Sequence, residues 1–123
     1  MKKFCILGAT GSIGSQALDI IRENSDYSLE GFSFGYNIDS AKKIILEFSP
    51  SFVYCPDLQQ RKEITELFPK INILESNKEL VEKVTSEYII NALVGFVGLE
   101  PSIKALSLNK KLLLANKESL VVG

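Results

Sequence analysis

The residues with the most chemical content stand near the start of the chain, at Gly8-Ala9-Thr10-Gly11-Ser12-Ile13-Gly14. They follow a short apolar run, Lys3 to Leu7, and open a stretch in which Ile13, Ala17, Ile20 and Ile21 share one helical face. A glycine spacing alone is a weak signal. A strand before it and a helix after it turn it into a candidate phosphate-binding turn of the dinucleotide type. Gly8 permits the tight turn, Gly11 lets backbone N–H groups approach a diphosphate, and Gly14 lets the helix lie close to the strand. The spare N–H groups and the positive end of the helix dipole then favour the anion, with Thr10 and Ser12 adding hydroxyl donors. The plainer alternative is a glycine-rich turn that holds no ligand.

Which dinucleotide such a turn would take is decided at the end of the second strand. A NAD site places a carboxylate there, about 20 residues after the glycines, to hold the ribose 2′-OH. This chain has Gly35-Tyr36-Asn37 instead. A carboxylate would repel a 2′-phosphate, so its absence removes a penalty. Asn37 and the N–H groups entering the next helix can donate to a phosphate, while Lys42 and Lys43 add positive charge that Asp39 partly opposes. A solvated helix face is the plainer account of the two lysines. The G-x-x-G-x-x-G spacing, with Thr10 at the position of a second glycine in G-x-G-x-x-G, also leans towards NADP. NADP is therefore favoured over NAD.

Two further groups of residues fall at the ends of later strands. Asn91-Ala92-Leu93-Val94-Gly95-Phe96-Val97-Gly98 closes one strand in a glycine-spaced loop. In an open α/β sheet ligands lie beyond the carboxyl ends of the strands, so this loop is placed to line the nicotinamide half; a simple turn onto a helix is equally compatible. Leu112-Leu113-Leu114-Ala115-Asn116-Lys117-Glu118-Ser119 delivers polar residues in succession to the same rim. Asn116 could equally cap a following helix and Glu118 serve its first turn. Lys117 offers a point charge suited to an anionic or carbonyl-bearing substrate.

These groups need a scaffold, and the patterning supplies one. Apolar runs at Lys3–Leu7, Leu29–Phe34, Phe52–Cys55, Ile71–Leu74, Tyr88–Leu93 and Lys111–Ala115 read as strands. Between them run helical stripes: Ala41, Ile44, Ile45 and Phe48, stopped by Pro50; Ile64, Leu67 and Phe68; Leu80, Val81 and Val84; Leu99, Ile103 and Leu106. Ser76 and Glu79 form a capping box ahead of the third of these stripes. Such alternation predicts an α/β fold, a Rossmann-like, doubly wound and mainly parallel sheet with helices on both faces, over residues 1–123.

Composition narrows the chemistry. With 123 residues, 46% of them apolar, the chain suits one domain with a real core. Fourteen Lys+Arg against 15 Asp+Glu leave a net charge of −1, which gives no field for nucleic acid or an anionic membrane. Histidine is absent, which removes Ser-His-Asp and Cys-His catalysis and imidazole zinc sites. Cys5 and Cys55 are too few for a disulfide framework and read as small core residues in a reducing compartment. The four-residue apolar run after Lys2-Lys3 is too short for a signal peptide, and no stretch approaches a membrane span. A soluble, cytoplasmic protein is expected.

Taken together, Gly8 to Gly14, Gly35-x-Asn37, Val94-Gly95-x-x-Gly98-Leu99-x-Pro101 and Leu114-Ala115-Asn116-Lys117-Glu118-Ser119-Leu120-Val121 occur in an order that resembles the amino-terminal NADPH-binding domain of the 1-deoxy-D-xylulose 5-phosphate reductoisomerase family. The resemblance spans the chain. It implies an intramolecular rearrangement followed by NADPH-dependent reduction, giving 2-C-methyl-D-erythritol 4-phosphate in non-mevalonate isoprenoid biosynthesis. It implies NADPH contacts at Gly8, Thr10, Gly11, Ser12, Ile13 and Gly14, an adenosine end at Gly35 and Asn37, and a site completed by Asn116 and Glu118. Lys117 falls at the position that meets the sugar-phosphate substrate. The residue between Gly35 and Asn37 is often lysine in the family; here it is Tyr36, which carries no charge.

Family members are longer, and the resemblance places the acidic cluster that binds Mg²⁺ or Mn²⁺, a flexible lid and the phosphate-binding residues downstream of this chain, with no catalytic residue within it. The full-length enzyme is expected to be a homodimer. Leu120-Val121-Val122 should need a partner surface. The chain alone is expected to bind cofactor without turning over substrate. Two rival readings share the first turn: a non-catalytic NAD(P)H-sensing module, and the cofactor domain of a semialdehyde dehydrogenase with its cysteine nucleophile farther along.

Overall fold

Four successive apolar residues, Phe4 to Leu7, cannot alternate between core and solvent, so a strand made of them must be covered on both faces. In the structure, a computed structural model, β1 (Lys2–Leu7) is the central strand, with Phe4 and Ile6 in one core and Cys5 and Leu7 in another. The structure describes residues 1–93, 101, 104, 105, 107–115 and 120–122, with 114, 115 and 120–122 by backbone alone.

After β1 come α1 (Ser12–Glu23), β2 (Tyr27–Ser33), α2 (Ile38–Phe48), β3 (Phe52–Tyr54), α3 (Leu58–Leu67), β4 (Asn72–Leu74), α4 (Asn77–Lys83), β5 (Tyr88–Asn91), β6 (Lys111–Ala115) and β7 (Leu120–Val122). The strands form one sheet in the order β4-β3-β2-β1-β5-β6-β7. Every pairing is parallel except β6 with β7. The chain therefore steps outward from β1 to β4, returns through α4, and steps outward again from β5. β1 pairs with both β2 and β5, so the order reverses beside it. A crevice for ligands opens at such a switch point, beyond the carboxyl ends of the strands.

The two faces have separate cores. One gathers Ala17, Leu18 and Ile21 of α1, Ala41, Ile44 and Ile45 of α2 and Ile64 of α3 over Phe4, Ile6, Leu29, Phe32 and Val53. The other packs Leu80, Val81 and Val84, together with Ala105, on Cys5, Leu7, Ile89 and Leu112. This is the doubly wound, mainly parallel arrangement that the strand–helix alternation predicts.

Three local readings change. In α1 the buried residues are Gly14, Ala17, Leu18 and Ile21, whereas Ile20 is 61% exposed and borders an apolar groove of about 440 Å³ with Tyr88, Ile90 and Leu113. Helical spacing puts Leu18 and Ile20 on either side of Ala17 and Ile21, and contact with α2 selects Leu18. In α3 (Leu58–Leu67) only Ile64 of the expected stripe Ile64, Leu67 and Phe68 is buried within the helix, with Leu67 exposed and Phe68 at the C-cap. Leu120–Val122 is a strand that finds its partner in β6, antiparallel, with Leu113 opposite Val122.

Helix starts differ in a way that bears on function. Asp57 caps α3 by accepting from the Gln59 N–H at 3.1 Å. Ser76 caps α4 by accepting from Glu79 N–H at 2.9 Å. The Glu79 carboxylate reaches back to Glu75 N–H at 2.8 Å, one residue before the cap. α1 begins on Gly11 with no side-chain cap at all.

Candidate functional site

An uncapped helix start leaves its first N–H groups to a ligand or to water. The first backbone bond into α1 runs from Ser15 N–H to Gly11 C=O at 2.8 Å, so the N–H groups of Ser12, Ile13 and Gly14 precede the intrahelical ladder. This start is held firmly. Gly8 has φ +83°, the left-handed region that glycine enters without strain. Its N–H donates to the Ser33 carbonyl at 3.2 Å and to Ser33 Oγ at 3.0 Å, and the Ala9 N–H donates to the same carbonyl at 2.8 Å. Ser33 is buried at the end of β2, so the turn is fastened to the neighbouring strand. Sequence reasoning missed Ser33, because a serine inside the run Leu29–Phe34 carries no spacing signal.

Gly14 is fixed by contact. A Cβ there would lie 2.3 Å from the Gly8 carbonyl oxygen and 2.6 Å from Ala9 Cα, so α1 can rest on the turn only without one. Gly11 is the reverse case: it is exposed, and the nearest atom to its Cβ position is 3.9 Å away. The result is a rigid turn with a bare, outward backbone. It satisfies the spatial demands of a diphosphate cradle, and Thr10, Ser12 and Ile13 flank it.

The end of β2 lies alongside. Gly35, Tyr36 and Asn37 are all exposed, and a Cβ on Gly35 would meet nothing within 4 Å. Asn37 (φ −83°, ψ 78°) is the centre of an inverse γ-turn in which Ile38 N–H donates to Tyr36 C=O at 3.0 Å. Its Oδ1 accepts from Ser40 N–H at 3.2 Å and so caps α2. Gln60 Nε2 also donates to the Tyr36 carbonyl, at 3.0 Å, tying this turn to α3.

A cavity of about 270 Å³ opens between α1 and α2, bordered by Thr10 of the glycine turn, Ser40 and Lys43 at one part and Arg22 and Glu47 at another. The Arg22 guanidinium is bound to Glu47 through Nε and through Nη2, the latter at 2.8 Å, and to Asp19 at 2.5 Å. Hydrogen bonding with Glu47 raises the pKa of Arg22 and lowers that of Glu47. Lys42 is paired with Glu63.

The later strand ends join the same rim. Because β5 pairs with β1, Ala92 and Leu93 approach within 3.3 Å of the Gly8 Cβ position. Asn91 is buried and its Oδ1 accepts from Leu93 N–H at 2.9 Å, turning the chain after β5. β6 runs parallel beside β5 and ends at Ala115. Residues 94–100 and the candidates Asn116, Lys117 and Glu118 lie outside the described residues.

Neither cysteine is poised as a nucleophile. Burial drives the Cys5 thiol up, reinforced by Glu30 and opposed by Lys110. Cys55 is pushed up to about 11 by burial, against the pull of Arg61. Both are neutral thiols at pH 7. Among the described residues no three His, Cys, Asp or Glu side chains gather as metal ligands, so these residues do not fit a divalent cation. No helix among them is long and apolar enough to cross a membrane.

Comparison with known proteins agrees with this geometry. The sequence profile described as 1-deoxy-D-xylulose 5-phosphate reductoisomerase matches residues 4–123. Among similar curated proteins, the enzyme of that name from Listeria innocua is 42% identical over the whole of this chain, which spans 33% of the relative. That from Francisella tularensis subsp. novicida is 39% identical over 98% of the chain and 32% of the relative. The chain thus spans about a third of the length of the curated relatives it matches. A crystal structure of DOX-P reductoisomerase in complex with NADPH, fosmidomycin and magnesium superposes with a TM-score of 0.86 at 29% identity, over 97% of this chain and 31% of that one. The Zymomonas mobilis enzyme in complex with NADPH gives a TM-score of 0.81 at 26% identity, over 96% of this chain and 32% of that one.

Proposed function

Since the chain belongs to the 1-deoxy-D-xylulose 5-phosphate reductoisomerase family, we propose that its 123 residues form the NADPH-holding part of such an enzyme. The observation that carries this is the uncapped, bare-backbone start of α1, packed so closely on the Gly8–Ala9 turn that Gly14 has no room for a methyl group. The N–H groups of Ser12, Ile13 and Gly14 and the Thr10 and Ser12 hydroxyls receive the diphosphate, with Gly11 leaving room for it. Gly35 and Asn37 hold the adenosine end. Asn116 and Glu118 complete the site from the end of β6, and Lys117 meets the sugar phosphate.

The chemistry that NADPH supplies when bound is a hydride. The described residues of this site bind and orient the cofactor. In the whole enzyme, 1-deoxy-D-xylulose 5-phosphate is rearranged and reduced to 2-C-methyl-D-erythritol 4-phosphate. Solved structures of such enzymes contain magnesium, and in our reading Mg²⁺ or Mn²⁺ enters only with the rest of the enzyme. Our reading extends to a homodimeric, cytoplasmic enzyme with neither nucleic acid nor membrane as partner. Calorimetric titration of the protein with NADPH and NADH tests the cofactor assignment. Saturable binding, tighter for NADPH, is expected; no binding of either dinucleotide would overturn it.

A further inference from the structure

The cavity beside the glycine turn has one unspent cation, and we infer that Lys43, with the Thr10 and Ser40 hydroxyls, selects the 2′-phosphate of the cofactor. This rests on the NADPH reading above and names the residue that makes it NADPH rather than NADH. A phosphate on the ribose brings close to two negative charges at pH 7 and demands a cation whose charge is not already matched. Arg22 is clamped by Glu47 and Asp19. Lys42 is engaged by Glu63 of α3. Lys43 is exposed, and among the described residues no carboxylate forms an ion pair with it, including Asp39 one turn earlier.

Position agrees with charge. Lys43 borders the same 270 Å³ cavity as Thr10, which belongs to the glycine turn, and Ser40, which lies in the first turn of α2. Helical side chains lean towards the N-terminus, so the Lys43 stem points back towards the turn that Asn37 opens. The helix dipole adds a positive potential at that end. Tyr36, 71% exposed at the tip of that turn, carries no charge to share the task. Arg61 is the rival cation. Its Nε donates to the Cys55 carbonyl at 2.6 Å and its guanidinium lies 5.2 Å from the Tyr54 ring centre, which fixes it at the end of β3 and away from this cavity lining.

The test compares NADPH with NADH, and 2′,5′-ADP with 5′-AMP, on the protein and on Lys43→Ala, Lys43→Gln, Lys43→Arg and Arg61→Gln. Loss of one charge-assisted contact should weaken NADPH and 2′,5′-ADP by roughly 10- to 100-fold in Lys43→Ala and Lys43→Gln. NADH and 5′-AMP should bind as before, and Lys43→Arg should recover most of the loss. Equal losses for both members of each pair, no loss at all, or a selective loss in Arg61→Gln instead would overturn the inference. Failure of the unaltered protein to bind either dinucleotide would strike the NADPH reading itself. Tight NADPH binding that ignores Lys43 would strike only this one.

Discussion

A methyl group added at Gly14 should cost stability, and one added at Gly11 should cost cofactor binding instead. At Gly14 the new carbon would sit 2.3 Å from the Gly8 oxygen, 2.6 Å from Ala9 Cα and 2.7 Å from the Ala9 carbonyl carbon. Comfortable carbon contacts lie at about 3.5–4.0 Å, so the shortfall is on the order of 1 Å against backbone that cannot rotate aside. Relief requires lifting α1 off the Gly8–Ala9 turn, which loosens the packing of Ala17, Leu18 and Ile21. Overpacking of this kind costs about 1–3 kcal/mol, offset by roughly 0.5–1 kcal/mol because alanine suits a helix better than glycine. We expect a net loss of about 1 kcal/mol and a Tm lowered by roughly 5 °C, for a domain of this length. At Gly11 the backbone is extended (φ −78°, ψ 175°) and the added carbon has 3.9 Å of clearance. Gly11→Ala should keep its Tm within about 3 °C, the loss of a permissive N-cap being small. Its NADPH affinity should fall by about tenfold or more, since the methyl would stand where backbone and diphosphate meet. Thermal melts followed by circular dichroism, with NADPH titration of each variant, measure both. A Gly14→Ala protein that melts with the unaltered one would show that α1 does not rest on the turn as closely as this, and a Gly11→Ala protein that binds NADPH undiminished would place the diphosphate elsewhere.

Asn37→Asp keeps an equally good helix cap but places a carboxylate beside the adenosine end, so NADPH should bind roughly tenfold weaker with NADH spared; competitive titration of the two checks it, and unchanged selectivity would mean Asn37 lies away from the ribose. Glu30 stabilises the link from β2 to the segment before β5, accepting from Thr85 N–H and Thr85 Oγ1 at 3.0 Å each and from Ser86 Oγ at 2.6 Å. Burial acts to raise its pKa, but those hydrogen bonds outweigh it and hold the carboxyl below its ordinary range. The sign follows: its contribution is full above the ordinary carboxylate pKa and is lost as pH falls through the depressed one. Tm measured across acidic pH should therefore fall less steeply in Glu30→Gln than in the unaltered protein, from a lower starting value at pH 7; parallel curves would show that Glu30 is not the group responsible.

Periodicity carried much of the architecture because strands buried on both faces announce themselves as unbroken apolar runs, as Phe4 to Leu7 and Leu112 to Leu114 do. The glycine turn was legible for the same reason: each glycine has a steric task, and the contacts at Gly8 and Gly14 match those tasks. Tertiary choices were not legible. Leu18 and Ile20 are equivalent in a helical projection, and only the neighbouring α2 decides which is buried. The antiparallel turn of Leu120–Val122 onto β6 depends on a partner strand that local pattern cannot name. Ser33 escaped because its work is done by backbone and hydroxyl acceptors that complement the turn, without any spacing signature. The difference between Lys42 and Lys43 is likewise tertiary, since it hangs on Glu63 of another helix.

Whether the start of α1 receives the diphosphate of NADPH can be read from backbone amide chemical shifts during an NADPH titration. The largest shifts should fall on Thr10, Gly11, Ser12, Ile13 and Gly14, with a second set at Gly35 and Asn37. Shifts centred on the apolar groove around Tyr27, Tyr88 and Leu113, with the glycine-turn amides unmoved at saturation, would contradict it.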